Sequence, residues 1–393
     1  PELTAWHDGY VDVGWFDAAG DGVAYARDVA HRVLGPGPDG RYLEAPWVFY
    51  GDPWANAVNS QGDSADLGLD RTNVDRYDGI ASAGRSSFLL NRVHLGVGVD
   101  RGERLGARAG VNLQPRTGRL GRAGDMVAVD TAYVVWRPLE SSDLKVYAGR
   151  MESGFGREYR YRHAPVRVGV TPSIVSRYLM GLQTGVRVRG THRRWLGYSL
   201  ALTNGGTITE GFGHLSGDSD RNGVPTTTAR LGILARRPLR VEAGVSGQVG
   251  PQDAQPDPTV VGYQVGADAR LDAGMLGVEA EAVVSHQPGD GTQRTERLDA
   301  HGGYLDVQLR PKPRVVLHAR VDWRDAELLA YPNLYVSNVV RLTGGARVDL
   351  DRHLCVKVEY LHLAEVGPGT RIADDVATAS LVFDFETRHL ELQ

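Results

Sequence analysis

The sequence has little of several residue types that commonly define a fold. Its single cysteine, Cys355, excludes an intramolecular disulfide framework and a zinc site built from cysteines. No apolar run approaches the roughly eighteen residues of a transmembrane helix, which excludes that way of crossing a membrane. Lysine occurs only three times among 44 Lys+Arg, and against 48 Asp+Glu the formal net charge is -4. These numbers alone leave a soluble protein open.

A strict alternation of apolar and polar residues dominates the chain. It is clearest in LCVKVEYLHL from Leu354, VVLHARVDW from Val315 and LRVEAGVSGQV from Leu239. A period of two is typical of a strand with one apolar and one polar face. Most of these segments have the roughly nine to twelve residues that a tilted strand needs to cross a bilayer. Sixteen of them start near residues 8, 87, 104, 127, 143, 182, 196, 228, 239, 261, 275, 299, 314, 338, 353 and 374.

The connections between the segments alternate between short and long. DRGER (100–104) and LDRH (350–353) are short links, whereas 152–181 and 204–227 are long ones. Outer-membrane barrels have this organisation, with short periplasmic turns and long extracellular loops. The sequence therefore predicts an all-β fold, a single transmembrane antiparallel β-barrel of about 16 strands spanning residues 1–393. Its long first loop would cover 17–86, and a short C-terminal tail, 386–393, would follow the last strand.

Charged residues on the polar faces indicate a water-filled lumen. In a soluble β-sandwich, the alternative fold, such residues would be buried in the core without partners, which is costly. In a wide barrel they face water, and positions such as Cys355 and Ser246 are expected to do the same. The charged residues predicted to line the lumen include Arg108, Arg320, Arg341, Arg347, Lys357 and Glu359.

One stretch, RMESGFGREYRYRHAPVRVG from Arg150 to Gly169, concentrates five arginines against two glutamates. It begins at the end of the fifth segment and runs into loop 152–181. Guanidinium groups at a constriction attract anions, because low-dielectric walls focus their field. The alternative is an outward-facing loop whose arginines contact lipopolysaccharide phosphates. The predicted constriction residues are Arg150, Arg157, Arg160, Arg162 and Arg167, with Arg187 and Arg189 on the returning strand.

Two stretches resemble the phosphate-selective porin family of bacterial outer-membrane porins, over roughly residues 143–190 and 338–385. In the first, the matching positions are Gly149, Gly154, Phe155, Gly156 and Glu158, then Gly185, Val186, Val188 and Gly190. In the second, VVRLTGGARVDLDRHLCVKVEYLHL, they are Gly344, Asp351 and the pair Glu359–Tyr360. The resemblance implies a porin whose loop 152–181 folds inward, and a homotrimer.

The same stretches depart from that family at positions that concern the solute. Met151 and Ser153 stand where the family usually has Lys and Pro around the Phe-Gly turn. With three lysines in the chain, no lysine ladder is present. Phosphate selectivity is therefore not carried over from the resemblance.

A weak metal motif lies in the fourth long loop. GDSDRNG places Asp218, Asp220 and Asn222 at alternate positions, as in the first half of a calcium loop. The twelfth position is Ala229 instead of a glutamate, which excludes an EF-hand. Turn geometry explains such Asp/Asn clusters as well as calcium does. Calcium is the one candidate ligand, and no other cofactor is predicted.

The expected function is passive diffusion of small hydrophilic solutes across the bacterial outer membrane, with a weak to moderate preference for anions. His94, His318 and His362 lie in separate segments with no serine beside them, so no enzyme is predicted. Outer-membrane lipid and lipopolysaccharide are the expected partners, and nucleic acid is not. The alternative is a structural or adhesin-type barrel whose lumen is plugged or holds a partner protein. Its main support is the tail 386–393, which continues beyond the terminal aromatic Phe385.

Overall fold

In the computed structural model, the alternating segments form the strands of one closed antiparallel sheet. The structure describes residues 3–17, 58–59, 86–113, 127–139, 143–152, 154–176, 181–204, 216–217, 223–236, 239–251, 260–288, 297–330, 333–365 and 373–392. Sixteen strands of this part build the wall, and the prediction of an all-β barrel is confirmed. Among the residues so described, no helix is long and apolar enough to span a membrane.

The predicted segments coincide with the observed strands, with the largest differences at the starts of β1 and β15. A seventeenth strand, β8, has two residues that pair in parallel with the beginning of β6. The bounds are β1 (Leu3–Asp17), β2 (Ser87–Arg101), β3 (Leu105–Leu113), β4 (Val127–Trp136), β5 (Lys145–Glu152), β6 (Leu182–His192), β7 (Leu196–Thr203), β8 (Ser216–Gly217), β9 (Thr226–Ala235), β10 (Arg240–Pro251), β11 (Val261–Ala273), β12 (Leu276–Gln287), β13 (Arg297–Lys312), β14 (Val315–Ala330), β15 (Asn333–Asp349), β16 (Leu354–Glu365) and β17 (Ala373–Leu392).

The barrel closes where β17 pairs with β1. Leu392 lies opposite Leu3, and Phe385 lies opposite Gly9. The residues that follow Phe385 are therefore part of the last strand up to Leu392, and the predicted tail 386–393 is wrong over this range. The physical reason is that β1 begins at Leu3, earlier than predicted, and its first residues need a hydrogen-bonding partner.

The two faces of the wall differ as the period of two predicts. Outward positions are apolar and open, as at Val97 and Val245, whose side chains are 57% and 58% exposed. Inward positions carry polar and charged side chains, many of them buried, such as Asp322 and Lys357. An apolar outer band on a closed sheet is the surface that a barrel presents to lipid, because closure leaves no unpaired backbone edge.

The connection between β5 and β6 enters the barrel. Its described residues 154–176, called the inner loop below, include Phe155 and Ile174, whose side chains are completely buried. Ile174 packs against Val339 of β15 and Leu363 of β16, both on the inner face of the wall. A loop that faced outward could not make these contacts.

The inner loop also covers wall positions that were expected to face water. Cys355 packs in one apolar cluster with Ala164 of the inner loop and Tyr10 of β1. The hydroxyl of Ser246 accepts a hydrogen bond from the backbone N–H of Gly156, at 3.0 Å. The expectation of a hydrated environment for Cys355 and Ser246 is therefore wrong, although both do lie on the inner face.

Part of the first long connection reaches the lumen as well. Of the predicted loop 17–86, the structure describes Val58 and Asn59, besides Asp17 and Ser86 at its two ends. Val58 is buried against Phe16 and Leu361 of the wall. Its carbonyl accepts a hydrogen bond from the Thr378 hydroxyl at 2.6 Å. The remainder of 17–86 lies outside the described residues, as do the calcium candidates Asp218, Asp220 and Asn222.

Candidate functional site

The inner loop starts with two glycines that turn the chain into the lumen. Gly154 and Gly156 have φ of 75° and 66°, a region that side chains disfavour. Between them, Phe155 is directed into an apolar cluster with Val175 of the same loop and Tyr304 of β13. The GFG motif thus inserts an aromatic anchor where the chain leaves β5.

Carboxylates of the wall hold the backbone N–H groups of the inner loop. Glu281 of β12 accepts from the N–H groups of Arg157 and Glu158, at 2.7 and 3.0 Å. Glu359 of β16 accepts from the N–H and the hydroxyl of Thr171, at 2.8 and 2.9 Å. The Glu359 carboxylate is buried and lies 3.2 Å from the Nε2 atom of His318, so its bonds to Thr171 are charge-assisted and strong. Buried carboxylates left without these donors would carry a large desolvation cost.

Cations of the wall hold the carbonyl groups of the same loop. Lys357 donates to the carbonyls of Ala164 and Arg167, the second at 2.8 Å. Arg341 donates to the carbonyl of Pro172 at 2.6 Å. Arg320 also bonds the Pro172 carbonyl, at 3.1 Å, and Arg347 bonds that of Pro165, at 2.7 Å.

The predicted lumen residues therefore divide into two groups. Arg320, Arg341, Arg347, Lys357 and Glu359 all point inward, but they bind the inner loop instead of facing open water. Arg108 is separate from this network. It pairs with Asp100 at 2.7 Å, and its guanidinium lies 4.7 Å from the ring centroid of Trp6.

Three of the predicted constriction arginines are paired with groups of the protein. Arg157 contacts Glu242 at 2.7 Å and Glu279 at 3.3 Å. Arg162 forms a two-pronged ion pair with Asp130 of β4. Arg167 is buried and donates to the carbonyl of Tyr161 at 3.0 Å. These partners neutralise much of the positive charge that the sequence shows in this stretch.

The other loop arginine belongs to a cluster with the two arginines of the returning strand. Arg160 lies 5.9 Å from the ring centroid of Tyr159 and pairs with Glu242 at 2.5 Å, with 32% of its side chain exposed. Arg187 and Arg189 of β6 lie within electrostatic range of the same tyrosine. We call Tyr159, Arg160, Arg187 and Arg189 the arginine cluster. One carboxylate, Glu242, opposes its three cations in the described contacts.

The arginine cluster has an electrostatic signature in the Tyr159 phenol. Burial alone would raise the pKa of this group, but Arg160, Arg187 and Arg189 outweigh burial and hold the pKa below its ordinary value. Sequence reasoning missed Tyr159. Its place in EYRYR, beside Arg160, was the available signal. Arg150, also predicted for the constriction, is half-buried in β5 opposite Thr184.

Open space remains beside the inner loop. A cavity of about 280 Å³ lies between the loop and the wall strands β10 to β14. Its lining is strongly charged and includes Arg157, Arg240, Arg270, Arg310, Asp272 and Glu279. Water and small polar solutes therefore have room next to the loop.

A second group of polar residues joins the inner loop to the opposite wall. His163 of the loop, His94 of β2 and Asp130 of β4 have their potential ligand atoms within 4.8 Å of one another. Burial, together with Arg162, keeps the pKa of His163 well below its ordinary value. The sequence predicts an ordinary lumen or rim position for His94. It contains no signal that brings His94 together with Asp130 and His163.

Comparisons with known proteins place the fold. No protein-family model matches the chain, and no curated protein matches it in sequence. The structure is similar to the outer membrane channel DcaP of Acinetobacter baumannii, with a TM-score of 0.60 and 11% identity over 98% of this chain and 97% of that one. It is also similar to the trimer form of OmpT, an outer membrane protein of Vibrio cholerae, with a TM-score of 0.53 and 9% identity over 98% of this chain and 100% of that one. An anion-selective porin from Comamonas acidovorans is similar with a TM-score of 0.50 and 9% identity over 98% of this chain and 99% of that one.

At these identities the likeness shows the fold. The chain has the architecture of bacterial outer-membrane porins and channels, and its apolar outer face agrees with that setting. The resemblance to the phosphate-selective porins in particular stays a prediction.

Proposed function

We propose that this chain is a passive diffusion channel of the bacterial outer membrane for small hydrophilic solutes, with a weak to moderate preference for anions. The observation that carries the proposal is the inner loop, which crosses the lumen and sets its Tyr159 and Arg160 against Arg187 and Arg189 of the wall. Positive groups that face the lumen of a low-dielectric channel raise the local anion concentration. The fold shared with outer-membrane channels supports the proposal.

The solute class follows from the arginine cluster. Guanidinium groups keep their charge at any working pH and bind carboxylates or phosphates through two parallel hydrogen bonds. Small carboxylates and phosphates are therefore the proposed preferred anions, without selectivity for phosphate. We also propose a homotrimer in contact with outer-membrane lipid and lipopolysaccharide, since one similar structure is described as a trimer form.

A plugged barrel is the second candidate, and one observation favours it. The inner loop is fixed to several strands, and Val58 of the first long connection is buried in the same lumen. Such a barrel would serve as a scaffold or adhesin.

Conductance of the purified protein in a planar lipid bilayer separates the two candidates. We expect discrete current steps that grow linearly with voltage, because space remains beside the inner loop. Insertion of folded protein without any current step would contradict the channel and support the plugged barrel. Folding is checked in the same sample by the heat-dependent shift in gel mobility of a β-barrel.

The anion preference should depend on pH through Tyr159. Because the pKa of Tyr159 is lowered, its phenolate forms earlier than that of a free tyrosine as the pH rises toward about 10. The new negative charge opposes the three arginines, which stay protonated. We expect the zero-current potential in a salt gradient to lose part of its anion preference between pH 7 and about pH 10. Tyr159→Phe should abolish this change, and an identical pH profile in that variant would refute the assignment.

A further inference from the structure

We propose that His94, Asp130 and His163 form a binding site for a divalent transition metal ion, with Zn²⁺ or Cu²⁺ as the matching class, between the inner loop and the barrel wall. Two imidazoles and one carboxylate are ligands that suit these ions. The proposal does not depend on the direction of ion selectivity or on the solute that the channel carries.

The geometry of the three groups carries the proposal. The Nδ1 atom of His94 lies 3.9 Å from the Oδ2 atom of Asp130, and the Nε2 atom of His163 lies 3.8 Å from the same oxygen. The three ligand atoms all fall within 4.8 Å of one another. Around an ion with bonds of about 2.1 Å, ligand atoms are roughly 3.4 to 4 Å apart. The two histidine–Asp130 distances already fall in this range, and a shift of about 1 Å or less brings the two histidine nitrogens into it as well.

Neighbouring groups orient the ligands. The Tyr10 hydroxyl lies 3.2 Å from the Nδ1 atom of His163, so the opposite ring nitrogen, Nε2, is the one directed at Asp130. Asn112 bonds His94 Nδ1 at 2.8 Å and donates to Asp130 at 2.8 Å. A partner on the opposite ring nitrogen, as Tyr10 is for His163, fixes ring orientation in metal sites, whereas Asn112 competes with the ion for Nδ1 of His94. On metal binding, His94 gives up its Nδ1 proton to water and takes up one at Nε2 from water, so the imidazole stays neutral. Its Nδ1 bond to Asn112 is then exchanged for a bond to the ion.

The site is accessible and spans two parts of the fold. The side chain of His163 is 27% exposed, whereas that of Asp130 is only 1% exposed. An ion would enter from the lumen on the His163 side. Arg162 now pairs with Asp130 and would be displaced in part by the ion. A bound metal would thus join the inner loop to β4 through His163 and Asp130, in place of part of the ion pair between Arg162 and Asp130.

Titration of the detergent-solubilised full-length protein with ZnCl2 by calorimetry tests the proposal. We expect one Zn²⁺ site per chain. His163→Gln and His94→Gln should each lower the affinity for Zn²⁺ by at least roughly 10–100-fold. Cu²⁺ bound to the wild type should show two-nitrogen coupling in its electron paramagnetic resonance spectrum, reduced to one nitrogen in either variant. This spectrum also serves if a variant binds too weakly for calorimetry.

The matched control is His362→Gln. His362 pairs with Asp375 at 2.7 Å on β16 and β17, away from the inner loop, and 44% of its side chain is exposed. This variant should bind Zn²⁺ like the wild type. Loss of the site in His362→Gln, unchanged binding in His94→Gln and His163→Gln, or no stoichiometric binding in the wild type would each overturn the proposal.

Discussion

Changing Arg160, Arg187 and Arg189 together to glutamine is expected to move the zero-current potential in a potassium chloride gradient from anion toward cation preference. One charge at roughly 8 Å in water contributes about 0.5 kcal/mol to the energy of a passing ion. Three such charges add to about 1.5 kcal/mol, favourable for an anion and unfavourable for a cation. Their loss corresponds to roughly a tenfold change in the permeability of each ion, and so to about a hundredfold change in the ratio of the two. The contribution of the exposed Arg160 and Arg189 should shrink in high salt, because exposed charges are screened over about 10 Å at 0.1 M, whereas the buried Arg187 is screened less.

A control variant with the same change of net charge isolates the position of the arginines. Arg193, Arg194 and Arg236 lie on short turns and are exposed. Because Arg193 and Arg194 have φ of 49° and 63°, asparagine suits them best, and glutamine suits Arg236. This triple variant should leave the zero-current potential close to that of the wild type. Equal shifts in the two triple variants would show that total charge, instead of the arginine cluster, sets the preference.

Replacing Lys357 and Glu359 by alanine is expected to release the inner loop and enlarge the current steps. The two side chains hold loop carbonyls and a loop N–H from adjacent inward positions of β16. Removal of a buried charged partner costs about 3–5 kcal/mol when the remaining groups stay unpaired. We expect a loss of stability of that order, measured by urea unfolding in lipid vesicles, together with a higher single-channel conductance.

Arg108→Gln is the matched control for the release of the loop. Arg108 is a lumen cation too, but it pairs with Asp100 and lies over Trp6, away from the inner loop. Its conductance should stay near that of the wild type. If the Lys357→Ala/Glu359→Ala protein folds and conducts like Arg108→Gln, the inner loop does not limit the current.

The barrel could be predicted because its signal is local and repeated. A strand between lipid and a wet lumen must alternate apolar and polar residues. The pattern within LCVKVEYLHL or VVLHARVDW is therefore enough to predict a strand and its two faces. The end of the chain could not be predicted in the same way. Whether residues beyond Phe385 pair depends on how early β1 begins, and the two segments are at opposite ends of the sequence.

The inner loop was only partly predictable, because its charges are balanced by residues far away in the chain. Five arginines in one stretch predicted a positive constriction, yet Arg157 meets Glu242 on β10 and Arg162 meets Asp130 on β4. A list of charges cannot show which are paired, since the barrel register decides it. Tyr159 and the pair of histidines were missed for the same reason.

Labelling of Cys355 with a charged thiol reagent tests the central claim, that the inner loop lies inside the barrel, most directly. Cys355 is the only cysteine of the chain, and it is buried beside Ala164 of the inner loop. In the folded wild type we expect very slow labelling. A variant in which residues 157–176 are replaced by a short Gly-Ser linker should label rapidly through the water-filled lumen. Equal labelling rates in the two folded proteins would contradict the inward position of the loop.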